Sequence, residues 1–168
     1  MFRLTPRPVA LALAALLVLP ALGCEDAGKD GDTASYDDVG MTALEQAVHD
    51  AVNDYRASVG LDPLAPDATI LAEARGHSED MMSGAVPFSH DGFETRVAAI
   101  GEVIAVQSAG ENVAHLIGMP DPVTTAVQGW VDSDGHRENL EGNFNLTGLG
   151  AAESGNEIYL TQIFALSF

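Results

Sequence analysis

The chain has 168 residues, 46% of them hydrophobic, and carries 25 acidic against seven basic side chains for a formal net charge of −18. That excess of negative charge excludes nucleic acid and anionic membrane surfaces as electrostatic partners. Cys24 is the single cysteine, so no internal disulfide can form and the folded part has to be held by packing.

Arg3 and Arg7 precede an uncharged apolar run from Val9 to Leu22, and Gly23 stands directly before Cys24. This is the three-part layout of a secretory signal over residues 1–23. The run is too short to stay in a bilayer as a helix, which takes about 20 apolar residues. Ala21-Leu22-Gly23-Cys24 resembles the lipobox of bacterial lipoproteins, with Ala21 where leucine is commoner. That resemblance implies a diacylglycerol on Cys24, cleavage before it, and an extracytoplasmic chain tied to the membrane by its lipid. The alternative is an ordinary signal cleaved near Ala21 or Gly23, which leaves a free thiol. Either cleavage removes Arg3 and Arg7 and none of the acids, so the mature chain is more acidic still.

Residues 24–41 are rich in Asp, Gly and small polar side chains, with Tyr36 and Val39 the sizeable apolar or aromatic exceptions before Gly40. Such a stretch buries too little to order itself and reads as an acidic flexible tether. A folded domain then spans residues 42–168, a normal size for one domain.

Thr42 and Glu45 form a capping-box pattern, and Leu44, Val48, Ala51, Val52, Tyr55 and Val59 recur at helical spacing. They predict a helix from about Ala43 to Val59. Leu61 to Pro66 holds two prolines and reads as a loop. Asp67 caps a second predicted helix, whose stripe of Ile70, Leu71, Ala74, His77, Met81 and Met82 runs out near Gly84. Asp91 and Glu94 are placed to cap a short third helix through Val97 and Ile100 to Gly101. Asp121-Pro122 opens a fourth that ends near Ser133, with Val123, Ala126, Val127, Trp130 and Val131 on its apolar face.

After Gly135 the pattern changes to Gly148 and Gly150, a turn at Ser154-Gly155-Asn156, and an alternating segment in which Ile158, Leu160, Phe164, Leu166 and Phe168 share a face. That alternation predicts a half-buried strand. Helices first and a hairpin last give an α+β chain.

Four stretches come in a telling order: Phe88-Ser89-His90, Gly110-Glu111-Asn112-Val113-Ala114, Trp130 through Leu140, and Gly148-Leu149-Gly150. Asn53-Asp54-Tyr55-Arg56 precedes them and Thr161-Gln162 follows. Together they resemble the bacterial branch of the CAP superfamily, the SCP domains of cysteine-rich secretory proteins, antigen 5 and pathogenesis-related proteins, over about Thr42 to Phe168. The resemblance implies a three-layer α-β-α sandwich with a small antiparallel sheet and a cleft on one side. It also implies a cleft tetrad of two His and two acids, in which His90 matches the first His, Glu111 the first acid and His136 the second His. Ser133 stands where animal and plant members often have Glu, and Asp134 is the nearest carboxylate.

Two imidazoles and a carboxylate from separate loops could take a divalent cation, zinc before calcium or magnesium, through neutral ring nitrogens at His90 and His136. Two His make an incomplete site, so binding would be weak and exchangeable. Without metal the same groups could act as a histidine–carboxylate acid/base pair. Each residue also has a purely structural reading: Glu111-Asn112 closing a loop, and Gly135 to Asn139 forming a polar turn. Ser89 beside His90 is no nucleophile–base pair, because neighbours on an extended chain point to opposite sides. His49, His77 and His115 lack motif support, and Trp130 reads as core.

Besides a structural or adhesive role in which the cleft is a relic, two functions remain open at this level. One is a lipid-anchored module that binds a lipid, sterol-like molecule or other envelope component in the cleft. The other is a metal- or histidine-dependent hydrolase of peptides or envelope polymers, with His90, Glu111 and His136 as its working residues.

Overall fold

The structure, a computed structural model, describes residues 39–168. The signal expected over 1–23, the lipid expected on Cys24 and the tether expected over 24–41, up to residue 38, fall outside the described residues. No described helix is long and apolar enough to cross a membrane.

Helix α1 covers Ala43–Ser58, strand β1 Ala65–Pro66, helix α2 Ala68–Ser83 and helix α3 Phe93–Gly101. Strand β2 runs over Val106–Ile117, α4 over Pro122–Asp132, α5 over Asp134–Leu140, β3 over Leu146–Ser154 and β4 over Glu157–Ser167. The sheet order is β1-β3-β4-β2. β4 pairs antiparallel with β2 and β3, and the two residues of β1 lie parallel to β3.

The helices cover both faces of the sheet. On one, Val48 and Val52 of α1, Ala126, Val127 and Trp130 of α4 and Leu140 of α5 pack on Leu149, Leu160 and Phe164. On the other, Ile70 and Ala74 of α2 and Ile100 of α3 pack on Ile163 and Ala165. This is the α-β-α sandwich expected from the motifs, with the one refinement that β1 makes the sheet mixed.

The caps at Thr42, Asp67 and Asp121 form as their residue types predict. The cap of α3 does not: Gly92, at φ 79°, occupies that position without a side-chain hydrogen bond. The loop reading of Leu61 to Pro66 also gives way at its end. Ala65 N–H donates to Asn145 O and Asp67 N–H to Thr147 O, while Pro66 sits between them at the sheet edge, where its missing N–H leaves no gap.

β4 differs from the half-buried strand that its alternation predicts. It is central, so Ile163 and Ala165 are as buried as Leu160 and Phe164 on the opposite face. Phe168 falls beyond the strand and is 96% exposed.

Asn53-Asp54-Tyr55-Arg56 owes its pattern to two ties. Asn53 closes a two-point hydrogen bond with the backbone of Leu64. Buried Arg56 donates to the carbonyls of Asp62, Leu140 and Gly142, locking α1 to the end of α5.

β2 is an edge strand, and an edge strand offers unpaired carbonyls. Two are taken by side chains from the helices: Asn139 donates to Glu111 O at 3.0 Å, and the Trp130 indole to Val113 O at 3.1 Å. Trp130 is therefore a core residue, and at the same time a cover for the strand that carries Glu111.

Candidate functional site

His90 lies on the segment between α2 and α3, and the backbone on both sides of it is held. His77 of α2 donates from Nε2 to Ser89 O at 2.9 Å, and Arg96 of α3 donates from Nη1 to Asp91 O at 2.9 Å. His77, which the sequence places on the apolar stripe of its helix without motif support, thus has a specific task beside the site. The His90 side chain is 50% exposed, and its Nδ1 lies 2.9 Å from Glu111 Oε1.

Glu111 projects from β2 with its side chain only 2% exposed. Burying a carboxylate without a partner costs several kcal/mol. Here Arg96 closes a fork on it, Nε to Oε2 at 3.0 Å and Nη2 to Oε1 and Oε2 at 2.9 and 2.7 Å. Such bidentate charge-assisted bonds fix the plane of the carboxylate as well as its charge.

His136 sits in the first turn of α5, and the motif residues around it explain how. Asn112 donates to His136 O at 3.1 Å, and Asn139 donates to Asn112 Oδ1 at 2.9 Å. Gly110 leaves room for this: a Cβ there would lie 2.6 Å from Asn139 Oδ1. The ring of His136 stands 6.4 Å from that of His90, centroid to centroid, at 44°. Its pKa is lowered, first by burial and then by the His90 charge, so the neutral imidazole is favoured. Its Nδ1 is buried without a hydrogen-bond partner.

The fold thus brings His90, Glu111 and His136 together. Asp134 is placed differently: its side chain is 89% exposed and paired with Arg137, which also binds Val131 O.

Beside this polar group lies an aromatic shelf. His115 follows Glu111 on the same face of β2, four residues or about 14 Å further along, and stacks on Tyr159 of β4 at 4.2 Å and 9°. Phe88, half exposed and two residues before His90, rests against both rings at 5.9 and 6.2 Å. Glu157 accepts from His115 Nε2 at 2.7 Å.

A metal fits this donor set only in part. Both Glu111 oxygens already face Arg96, and among the described residues no three His, Cys, Asp or Glu are grouped to hold one ion. With zinc–nitrogen bonds of about 2.0–2.1 Å, two imidazoles on one tetrahedral ion have centroids roughly 5 Å apart. The 6.4 Å separation requires the rings to close before they could share a tetrahedral ion.

Arg96 and the aromatic shelf are what the sequence reading misses. Arg96 carried a signal: it interrupts the apolar stripe of Phe93, Val97 and Ile100, in a chain that has only seven basic residues. Every arginine of the described residues, Arg56, Arg75, Arg96 and Arg137, is committed to a contact between segments or a local ion pair. Phe88 stood in the first motif, but His115 and Tyr159 carried no signal, since their proximity depends on strand register.

A sequence model of the cysteine-rich secretory protein family, CAP, matches residues 49–164. The uncharacterized protein YkwD of Bacillus subtilis is 35% identical over 123 residues, covering 69% of this chain and 45% of its own length. This chain spans less than half the length of the curated relatives it matches. A crystal structure of an extracellular protein containing an SCP domain from Bacillus anthracis is 32% identical with a TM-score of 0.60, covering 80% of this chain and 44% of that one. NaASP2, solved with Zn2+, shares the fold at 15% identity and a TM-score of 0.51, covering 74% and 80% of the two chains.

Proposed function

The chain belongs to the cysteine-rich secretory protein (CAP) family, and from that premise we propose that it is an extracytoplasmic module that binds an envelope ligand in the cleft beside His90. The extracellular setting of the Bacillus anthracis protein supports the compartment, as does the signal layout of residues 1–23. In this reading Cys24 carries the lipid that keeps the domain at the membrane. Cys24→Ala should then abolish fatty-acid labelling and release the chain from membranes, since an acidic chain has no basic patch to replace a lipid. Persistent labelling would remove the anchor.

The observation that carries the binding reading is the junction of two groups: the polar group of His90, Glu111 and His136, and the partly exposed aromatic shelf of Phe88, His115 and Tyr159. A flat apolar body can lie on the shelf while a polar end reaches His90. The acidic charge of the chain argues against an anionic ligand and is compatible with a sterol-like molecule or an uncharged lipid. A divalent ion enters this reading only as a weak, exchangeable aid held by His90 and His136, as the zinc in NaASP2 suggests.

Calorimetric titration of the purified chain with cholesterol, with and without zinc, tests both parts. Phe88→Ala should weaken sterol binding about tenfold, the equivalent of 1.4 kcal/mol and within the range for losing an apolar contact of this size. The double variant His90→Ala with His136→Ala should abolish any increment due to zinc. Unchanged sterol binding in Phe88→Ala would overturn the shelf as a binding surface.

A further inference from the structure

We propose that Arg96 is the positioning residue of the cleft: by clamping Glu111 it fixes which nitrogen of His90 carries the proton, and so presents His90 Nε2 as an acceptor for a hydroxyl or amine of the ligand. The inference rests on the cleft reading and specifies which ligand group it recognises.

An ionised carboxylate only accepts hydrogen bonds, and an arginine only donates them. Arg96 supplies three contacts of 2.7 to 3.0 Å to the two Glu111 oxygens, which holds the group as an acceptor on the side facing His90 as well. His90 Nδ1, at 2.9 Å from Glu111 Oε1, must therefore be the donor. In the neutral ring the proton then sits on Nδ1 and the lone pair on Nε2, which points away from Glu111 on a side chain that is half exposed.

Arg96 also acts through the backbone. Its Nη1 holds Asp91 O, one residue after His90, while His77 holds Ser89 O one residue before it. One guanidinium thus sets both the orientation of the carboxylate and the path of the chain that carries the imidazole. Gly92 belongs to the same device: a Cβ at its positive φ would come within 3.2 Å of Arg96 Nη1.

The tautomer of His90 can be read directly from long-range 1H–15N NMR spectra of the chain at a pH where the imidazole is neutral. The wild type should show Nδ1–H. In Glu111→Gln, the fork of Arg96 draws the amide oxygen to itself and leaves the NH2 facing His90 Nδ1. That nitrogen must then accept, and the proton moves to Nε2. In the double variant Glu111→Gln with Arg96→Met the amide is free to turn, and the two tautomers should appear mixed. The double variant also removes the unpaired buried charge, so if the single variant does not fold, the wild type is compared with the double variant, in which unmixed Nδ1–H would overturn the role.

A merely structural Arg96 would not move this readout. Retention of Nδ1–H in folded Glu111→Gln, or the same tautomer in the single and double variants, would overturn the positioning role. A wild type that shows Nε2–H would instead mean that the His90–Glu111 pair does not exist in solution, which is a failure of the cleft reading itself.

Discussion

Gly150→Ala should destabilise the domain by about 3 kcal/mol or more, the upper part of what overpacking against a rigid neighbour costs. A Cβ on Gly150 would lie 2.1 Å from Arg75 N and 2.3 Å from Arg75 Cα, and one on Gly148 would lie 2.1 Å from Leu71 N. These are backbone atoms of α2, which crosses β3 one helical turn apart at the two glycines. No rotamer change relieves such a contact. The helix would have to retreat by roughly 1.3 Å to restore an ordinary 3.4 Å contact, and that would open the packing of Ile70 and Ala74 on Ile163. The control lies on the same helix: Gly76 has nothing within 4 Å of its would-be Cβ, so Gly76→Ala should stabilise by up to about 1 kcal/mol through helix propensity. Urea denaturation of both variants measures the contrast. Equal midpoints would mean that α2 is not seated on the glycines.

Glu45→Ala should cost about 3 kcal/mol, well beyond the roughly 1 kcal/mol of an ordinary helix cap. Its carboxylate is fully buried and completes the capping box with Thr42 N–H at 2.7 Å. It also accepts from Ala151 N–H of β3 at 3.0 Å and from Arg75 of α2 at 2.9 and 2.6 Å. Removing it strands a strand N–H and a guanidinium, and leaving such groups unpaired is what makes broken buried pairs expensive. Arg75 remains 32% exposed, so water meets part of that loss. The largest single influence on the Glu45 carboxyl is burial, which raises its pKa, but the bonds from Arg75, Thr42 and Ala151 together bring it below the ordinary carboxylate value. The wild-type advantage over Glu45→Ala is therefore complete above the unfolded pKa of about 4.3 and disappears as pH falls through the lower folded value. A loss of only about 1 kcal/mol at neutral pH would reduce Glu45 to a cap. Arg75 is common to both variants, because Gly150 faces its backbone and Glu45 its guanidinium, so the two losses should not add.

The four longer helices were legible in the sequence because the information that makes them is local, whereas α5, at Asp134–Leu140, was read as a polar turn over Gly135 to Asn139 because seven residues are too few to show a helical stripe. Thr42, Asp67 and Asp121 cap through their own nearest N–H groups, and Val48, Val52, Ala126, Val127 and Trp130 recur at helical spacing. The order of the motifs was enough to name the family, and it placed His90, Glu111 and His136 in one region, where the fold does bring them.

What the sequence could not determine is pairing. β2 shows no clean alternation, because it trades apolar positions for Glu111, Asn112 and His115, each of which finds its partner on another element. Asp134 and Glu111 look alike as carboxylates near a histidine motif. Only the fold turns one inward onto Arg96 and His90, and leaves the other at the surface on Arg137. The conversion of Arg96 from an odd residue on an apolar helix stripe into the partner of Glu111 is the same kind of fact. A buried charge is tolerable only where a distant segment supplies its counter-charge, and that distance is closed by tertiary packing alone.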